Sequence, residues 1–240
     1  MKQAIKLLRT NLLNNGKVVK TQKWQGIDNP PEFLELLHVR VMIPMLQTIS
    51  EMVKECQPML PWADVHFDER VGGLPLNPPP SHKLWLKGNE DYMSGDKFSH
   101  SYPERFWSKN LHSGIRFPIG DLETLIHLLK DQPDTRQAYL PIYFPEDIAA
   151  ALIGERIPCT LGFHFIIRDD KLDLFYPMRS CDVIRHMHND LYMANRLALY
   201  VKEQAHLNNV KLGNIHFVAT SLHCFTNDRY AIEKAIKCVG

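Results

Sequence analysis

No sign of charge dominates this 240-residue chain: 28 Lys and Arg stand against 27 Asp and Glu, a formal net charge of +1. A balance this even excludes a global field for gathering nucleic acid or a membrane surface, and leaves only local basic pockets. Long apolar runs are lacking too, so no segment reads as a membrane span. The N-terminal stretch MKQAIKLLRTNLLNNGK is amphipathic without a continuous apolar core, which argues against a secretory leader. Cysteine is sparse, with five residues, an odd count and no C-x-x-C spacing. That pattern fits free thiols in a reducing cytoplasm better than a disulfide or zinc framework. Phosphate-cradling glycine loops and Walker patterns are absent, and RSCD (179–182) lacks the context of a hydrolase nucleophile. Internal repeats and low-complexity segments are absent as well. What remains is 45% hydrophobic content, enough for a sizeable core in one domain spanning residues 1–240.

Local patterns divide the chain into mixed elements. Pro30 and Pro31 open a pattern that reads as a helix running to about Cys56, with Pro44 predicting a kink. GGLPLNPPPSHK (72–83) reads as a loop, since prolines remove donors and glycines release the backbone. Asp121 is placed to cap a short helix carrying Leu122, Leu125, Ile126 and Leu129 on one face. From Thr160 onward, Leu161, Phe163, Phe165 and Ile167 alternate, RDDK turns, and Leu172, Leu174 and Tyr176 alternate again, which predicts a β-hairpin. Leu191, Ala194, Leu197, Ala198 and Val201 follow helical spacing, and NIHFVATSLHCF (214–225) reads as a last strand before a terminal helix. Without a regular βαβ rhythm, the fold class is α+β.

Few residues carry chemistry by type alone. Cys159 follows Pro158 at the mouth of the hairpin, and an isolated cysteine is commonly a small buried hydrophobe. Its alternative is a nucleophile, which needs nearby positive charge, and Arg179 lies at the far end of the same hairpin. The pair His186 and His188 has no third ligand at metal-site spacing. From residue types alone, a thiol-and-arginine site is as far as the reading goes.

Four segments then carry a resemblance: PDTRQAYLPIYFPED (133–147), IPCTLGFHFIIRDDKL (157–172), MRSCDV with ND (178–190), and LGNIHFVATSLHCF (212–225). Together with KLW (83–85) and SYPERFWS (101–108), their order and spacing resemble the thymidylate synthase superfamily, nearest to the phage deoxycytidylate hydroxymethylases. The resemblance implies a large mixed β-sheet flanked by helices, paired into a homodimer through sheet faces. It implies transfer of a one-carbon unit from 5,10-methylenetetrahydrofolate to C5 of a cytidylate, dCMP or CMP, with water completing a 5-hydroxymethyl group and no metal ion required. A C5 methyltransferase acting on dUMP or UMP, and a nucleotide-binding paralogue without catalysis, stay open beside it.

Residue by residue, the resemblance places Cys159 on the cysteine that adds to C6 of the pyrimidine, and Arg179 and Ser180 on nucleotide-phosphate ligands. Arg136 falls on the arginine that crosses to the partner's phosphate. Ser221 and His223 fall on the nucleotide side, and Tyr102 near the pyrimidine C5. Asp182 falls on the aspartate that helps order water and folate, with Trp85 also on the folate side. Asp190 stands where the synthases place asparagine and the cytidylate enzymes aspartate. A carboxylic acid there can donate to cytosine N3 and accept from its 4-amino group; the alternative is a helix cap. Departures are also visible. Gln137 replaces the second arginine of a pair, Phe225 a tyrosine, and His186 a glycine. The closing C-terminal tail reads as truncated. The family's catalytic glutamate has no clear counterpart in PWADVHFDERVGG, where alignment on Trp62 puts Met59; spacing favours Asp64, with Glu69 next.

Overall fold

The computed structural model describes residues 1–21, 23–24, 27–84, 93–107 and 120–237. Its elements in chain order begin with α1 (Lys2–Asn15), β1 (Lys17–Val19), β2 (Lys23–Trp24), β3 (Ile27–Asp28) and β4 (Phe33–Pro44). Next come α2 (Ile49–Cys56), α3 (Trp62–Val71), β5 (Met93–Ser94), β6 (Lys97–Phe98), α4 (Tyr102–Phe106) and α5 (Asp121–Asp131). The second half holds β7 (Tyr139–Pro141), α6 (Glu146–Leu152), β8 (Gly162–Arg168), β9 (Lys171–Asp182), α7 (Met187–Gln204), β10 (Lys211–Phe225) and α8 (Arg229–Lys237). A six-stranded sheet runs in the order β1-β4-β10-β9-β8-β7. Only β9 and β10 pair in parallel; the other neighbours are antiparallel. The architecture is α+β, a mixed sheet flanked by helices.

The hairpin follows from its sequence. Asp169 and Asp170 take φ of +49° and +55°, the left-handed pair of a two-residue turn matched to strand twist. Phe163, Phe165, Ile167, Leu172, Leu174 and Tyr176 all enter the core from it. The expected helix on α5 also forms and buries Leu122, Leu125, Ile126 and Leu129, but Gly120 is its N-cap and Asp121 its first residue. There a carboxylate still favours the helix dipole.

The expected helix from Pro30 to Cys56 is not what forms. Residues 33–44 are an extended strand, and only Ile49–Cys56 is helical, started by a Thr48/Glu51 capping box. Val39, Val41 and Ile43 suit a pleated surface. As a strand, the segment pairs with β10 from Phe33↔Phe225 to Pro44↔Asn214, a ladder no helix at this place could make. Pro44 closes the strand end, where a missing donor costs least.

Two consequences position the site. The β9–α7–β10 crossover packs Leu191, Ala194, Leu197, Ala198 and Val201 into the core. It brings the carboxyl ends of two parallel strands and the start of α7 together, where open sheets place ligands. The other sheet face lacks a helical cover among the described residues. The register aligns Met42, His216, Phe175, His164 and Tyr139 in one row across it, and Met42, Phe175 and Tyr139 are exposed. No helix among the described residues is long and apolar enough to cross a membrane.

Candidate active site

A cavity of about 200 Å³ opens at this end of the sheet. Helix α3 contributes Trp62, His66 and Arg70; the end of β9 contributes Ser180, Cys181 and Asp182; and the start of α7 contributes Asn189, Asp190 and Met193. Cys159, Tyr102 and Arg156 also line it.

Cys159 reaches the cavity because the hairpin register continues past β8. The Arg179 amide donates to the Cys159 carbonyl at 2.9 Å, and Thr160 bridges to Met178. The Arg179 guanidinium donates to the carbonyls of Pro158 (2.8 Å) and Ile157 (3.0 Å), which leaves Nη2 at 3.9 Å from Cys159 Sγ. The juxtaposition expected from the hairpin is present. Burial nevertheless pushes the thiol up, and Arg179 and then Arg156 pull against it. The free protein therefore holds Cys159 as a thiol, with two arginines favouring the thiolate once burial is relieved.

Beside it, Tyr102 donates to the Thr160 hydroxyl at 3.1 Å, and that hydroxyl shares a hydrogen bond of 3.1 Å with Tyr176. Burial raises Tyr102 to about 12. Arg70 lies over the Tyr102 ring at 3.9 Å and is 6% exposed, and its Nε finds no partner among the described residues. A guanidinium N–H this buried without a hydrogen bond is expensive unless a ligand completes it.

Asp190 does not cap α7. His186 is the N-cap, and Asp190 lies within the first turn facing the cavity. Burial raises its carboxyl to about 7, with Arg70 opposing and Asp182 adding to the rise. Asp182 is itself committed: one oxygen accepts from the amides of Ile184 and Arg185, both at 2.9 Å, which shapes the turn from β9 into α7. Ser180 contacts His223 at 3.4 Å, while Ser221 donates to Glu35 on β4.

Not every expected residue comes here. Asp64 does not line the cavity. It lies on the outer side of α3, paired to Arg196 of α7 at 2.6 Å and accepting from the Tyr192 hydroxyl. Glu69, the second choice, stands behind the cavity wall, accepting from the Ser81 amide at 2.6 Å and contacting His66 Nδ1 at 3.4 Å. Arg136 is exposed ahead of β7, outside this chain's cavity, and its carbonyl accepts from His164. Trp85 lies outside the described residues. His186 lines the cavity, and no group of three metal-ligating side chains forms among the described residues. The sequence reading missed His66, Arg70 and Arg156. Trp62, His66 and Arg70 repeat at intervals of four, a stripe that the sequence did offer.

Comparison with known proteins adds a frame. A family model described as thymidylate synthase matches residues 89–238. Deoxyuridylate hydroxymethyltransferase of Bacillus phage SP01 is 30% identical over 136 residues, 55% of this chain and 34% of that protein. A putative thymidylate synthase of Methanosarcina mazei is 28% identical over 169 residues, 67% of this chain and 72% of that protein. The chain thus spans about a third of the phage relative and most of the archaeal one. Thermostable thymidylate synthase A from Bacillus subtilis superposes with a TM-score of 0.70 at 15% identity, over 98% of this chain and 83% of that one. At that identity the likeness speaks for the fold.

Proposed function

Because the chain belongs to the thymidylate synthase family, whose members are one-carbon transferases, we propose that it hydroxymethylates C5 of a cytidylate, dCMP or CMP. The observation that carries the reading is Asp190 in the same cavity as Cys159, its carboxyl raised to about 7 by burial. A carboxyl protonated near neutrality donates to cytosine N3 through its O–H and accepts from the 4-amino group through its C=O. Ionised, it would repel the O4 of uracil.

Cys159 would add to C6. The S–C6 bond forms as the C5=C6 π pair moves to C5, and Arg179 and Arg156 favour the thiolate that does it. Arg156, Arg179 and Ser180 cluster at the Cys159 end and suit the nucleotide phosphate, joined by Arg136 from a second copy. That copy would dock through the open sheet face carrying Met42, Phe175 and Tyr139. The described residues also fit a folate. Trp62, Pro79, Phe98 and Met193 offer an apolar wall to a flat heteroaromatic ring, and Arg70 offers its unpartnered Nε to an acceptor on it. When bound, methylenetetrahydrofolate supplies the carbon that C5 takes, and water rather than hydride completes the group.

A second reading has support of its own. The phage relative acts, by its name, on deoxyuridylate, and Arg70, a pure donor, suits the O4 of uracil. The test is incubation with dCMP, CMP, dUMP and UMP plus methylenetetrahydrofolate, read by mass spectrometry. A gain of CH2O on a cytidylate is the expected result. A gain on uridylates alone overturns the base assignment, and a gain of CH2 assigns methylation instead. Nucleotide binding with no product identifies a non-catalytic paralogue.

A further inference from the structure

The cavity needs a group that moves the C5 proton, and Asp64 is spent on Arg196. Helix α3 offers a different device. His66 lines the cavity and is 8% exposed, with its ring stacked on Trp62 at 5.0 Å between centroids. Its Nδ1 faces two partners, Ser81 Oγ at 3.0 Å and Glu69 Oε2 at 3.4 Å. Nε2, without a partner among the described residues, is left for the cavity. Glu69 is anchored in turn by the Ser81 amide at 2.6 Å.

We propose that His66 is the proton-transfer group of this cavity, exchanging the C5 proton of the bound pyrimidine through Nε2, with Glu69 a positioning residue that acts through Nδ1. The inference rests on the nucleotide reading above. Tyr102 supplies the placement: its hydroxyl bonds to Thr160, the neighbour of Cys159, and its ring meets the His66 ring edge-on at 6.5 Å. A pyrimidine with C6 at Cys159 therefore has its next carbon, C5, on the side toward His66. Two of the other cavity histidines are held differently. His82 and His100 turn Nδ1 to backbone carbonyls, of Pro79 and Arg156. His66 has a carboxylate behind Nδ1 to stabilise the imidazolium as it forms, the device an acid–base histidine requires.

The step balances simply. When Cys159 has added to C6, the pair left on C5 takes a proton from solvent on the face opposite His66, and C5 becomes tetrahedral. The original C5–H bond then breaks, its proton passes to Nε2, and its bonding pair is left on C5 until it re-forms the C5=C6 bond as Cys159 leaves. The groups around His66 are Glu69 and Arg70 on its own helix, Ser81 and His82 on the turn at Pro80–Leu84, Tyr102 on α4, and Asp190 on α7 across the cavity. Burial first, then Arg70, lower the imidazole to about 4 against the pull of Glu69, so it stands neutral and ready to accept at pH 7. Burial works against Glu69's charge, yet its bonds from His66 and Ser81 keep its carboxyl below the ordinary value.

The test is C5 hydrogen exchange into deuterated water, without folate, on each of the four nucleotides, beside calorimetric nucleotide binding. His66→Gln should lose exchange by roughly a hundredfold or more while the nucleotide Kd moves less than about threefold. Glu69→Gln should lose roughly tenfold and shift the acid limb of the pH profile to lower pH, because the imidazolium loses its counter-charge. Exchange retained in His66→Gln overturns the proposal with the nucleotide reading intact. An unmoved pH profile in Glu69→Gln removes Glu69 from the device. Equal loss of exchange and of binding in both variants assigns the pair to site architecture and overturns the proposal. Absence of exchange by the unaltered protein on nucleotides it binds defeats the function reading, and this inference with it.

Discussion

Replacing Asp190 by asparagine separates its two properties, base reading and burial of a titratable group. The carboxyl moves from 3.8 to about 7 on folding, chiefly by desolvation. At about 1.4 kcal/mol per unit, the shift corresponds to roughly 4 kcal/mol against the ionised form. Because the side chain opens onto the cavity, water recovers part of this, and on the order of 2 kcal/mol is expected. The sign follows from proton uptake. Below pH 4 the carboxyl is protonated folded and unfolded, and costs nothing. Between about 4 and 7 only the unfolded chain ionises, so stability falls as pH rises, and above 7 the penalty is complete. Asp190→Asn should thus match the unaltered protein near pH 4 and exceed it near pH 8, in urea unfolding at both. The same substitution should move the kcat/KM ratio from cytidylate toward uridylate by roughly ten- to a hundredfold, since an amide can donate to O4 and accept from N3–H. A gap in stability equal at both pH values would refute the buried-acid reasoning. An unchanged base ratio in a variant that still binds nucleotide would refute the assignment of Asp190 to the base.

Cys159→Ala should abolish C5 exchange and leave nucleotide affinity largely intact, by the calorimetry already described; retained exchange removes it from the nucleophile position. Arg136→Ala should weaken nucleotide binding, and mixing it with Cys159→Ala should restore activity in mixed dimers, each holding one site with both residues. No recovery after demonstrated subunit exchange places Arg136 elsewhere. Asp64→Ala should leave kcat within about twofold and cost on the order of 1 kcal/mol, since its ion pair with Arg196 is partly exposed. A large fall in kcat would restore it as the catalytic acid.

What the sequence made legible was whatever is fixed locally. The 160–176 hairpin shows because its period of two, its RDDK turn and its burial all agree, and with it came the meeting of Cys159 and Arg179. The stretch 33–44 misled because Phe33, Leu34, Leu36, Leu37 and Val41 satisfy helical spacing as well as they satisfy a strand. The decision lies about 180 residues away, in the backbone groups of β10 that need a partner along their whole length. No local pattern can contain that.

The acid on α3 illustrates the same division at the scale of one helix. Distance along the chain favoured Asp64, but on a helix each residue turns about 100°, so direction decides more than distance. Trp62, His66 and Arg70, four apart, share the face that lines the cavity. Asp64 lies two residues, or about 200°, from both Trp62 and His66 and must point away, and Asp68 four residues later follows it to Arg196. Glu69 sits one residue short of Arg70, close enough to the inner face to reach His66 but not to enter the cavity. A carboxylate in that position can act on the ligand only through the imidazole before it. Direct acid chemistry would need a carboxylate at 62, 66 or 70, and the chain has placed an indole, an imidazole and a guanidinium there instead.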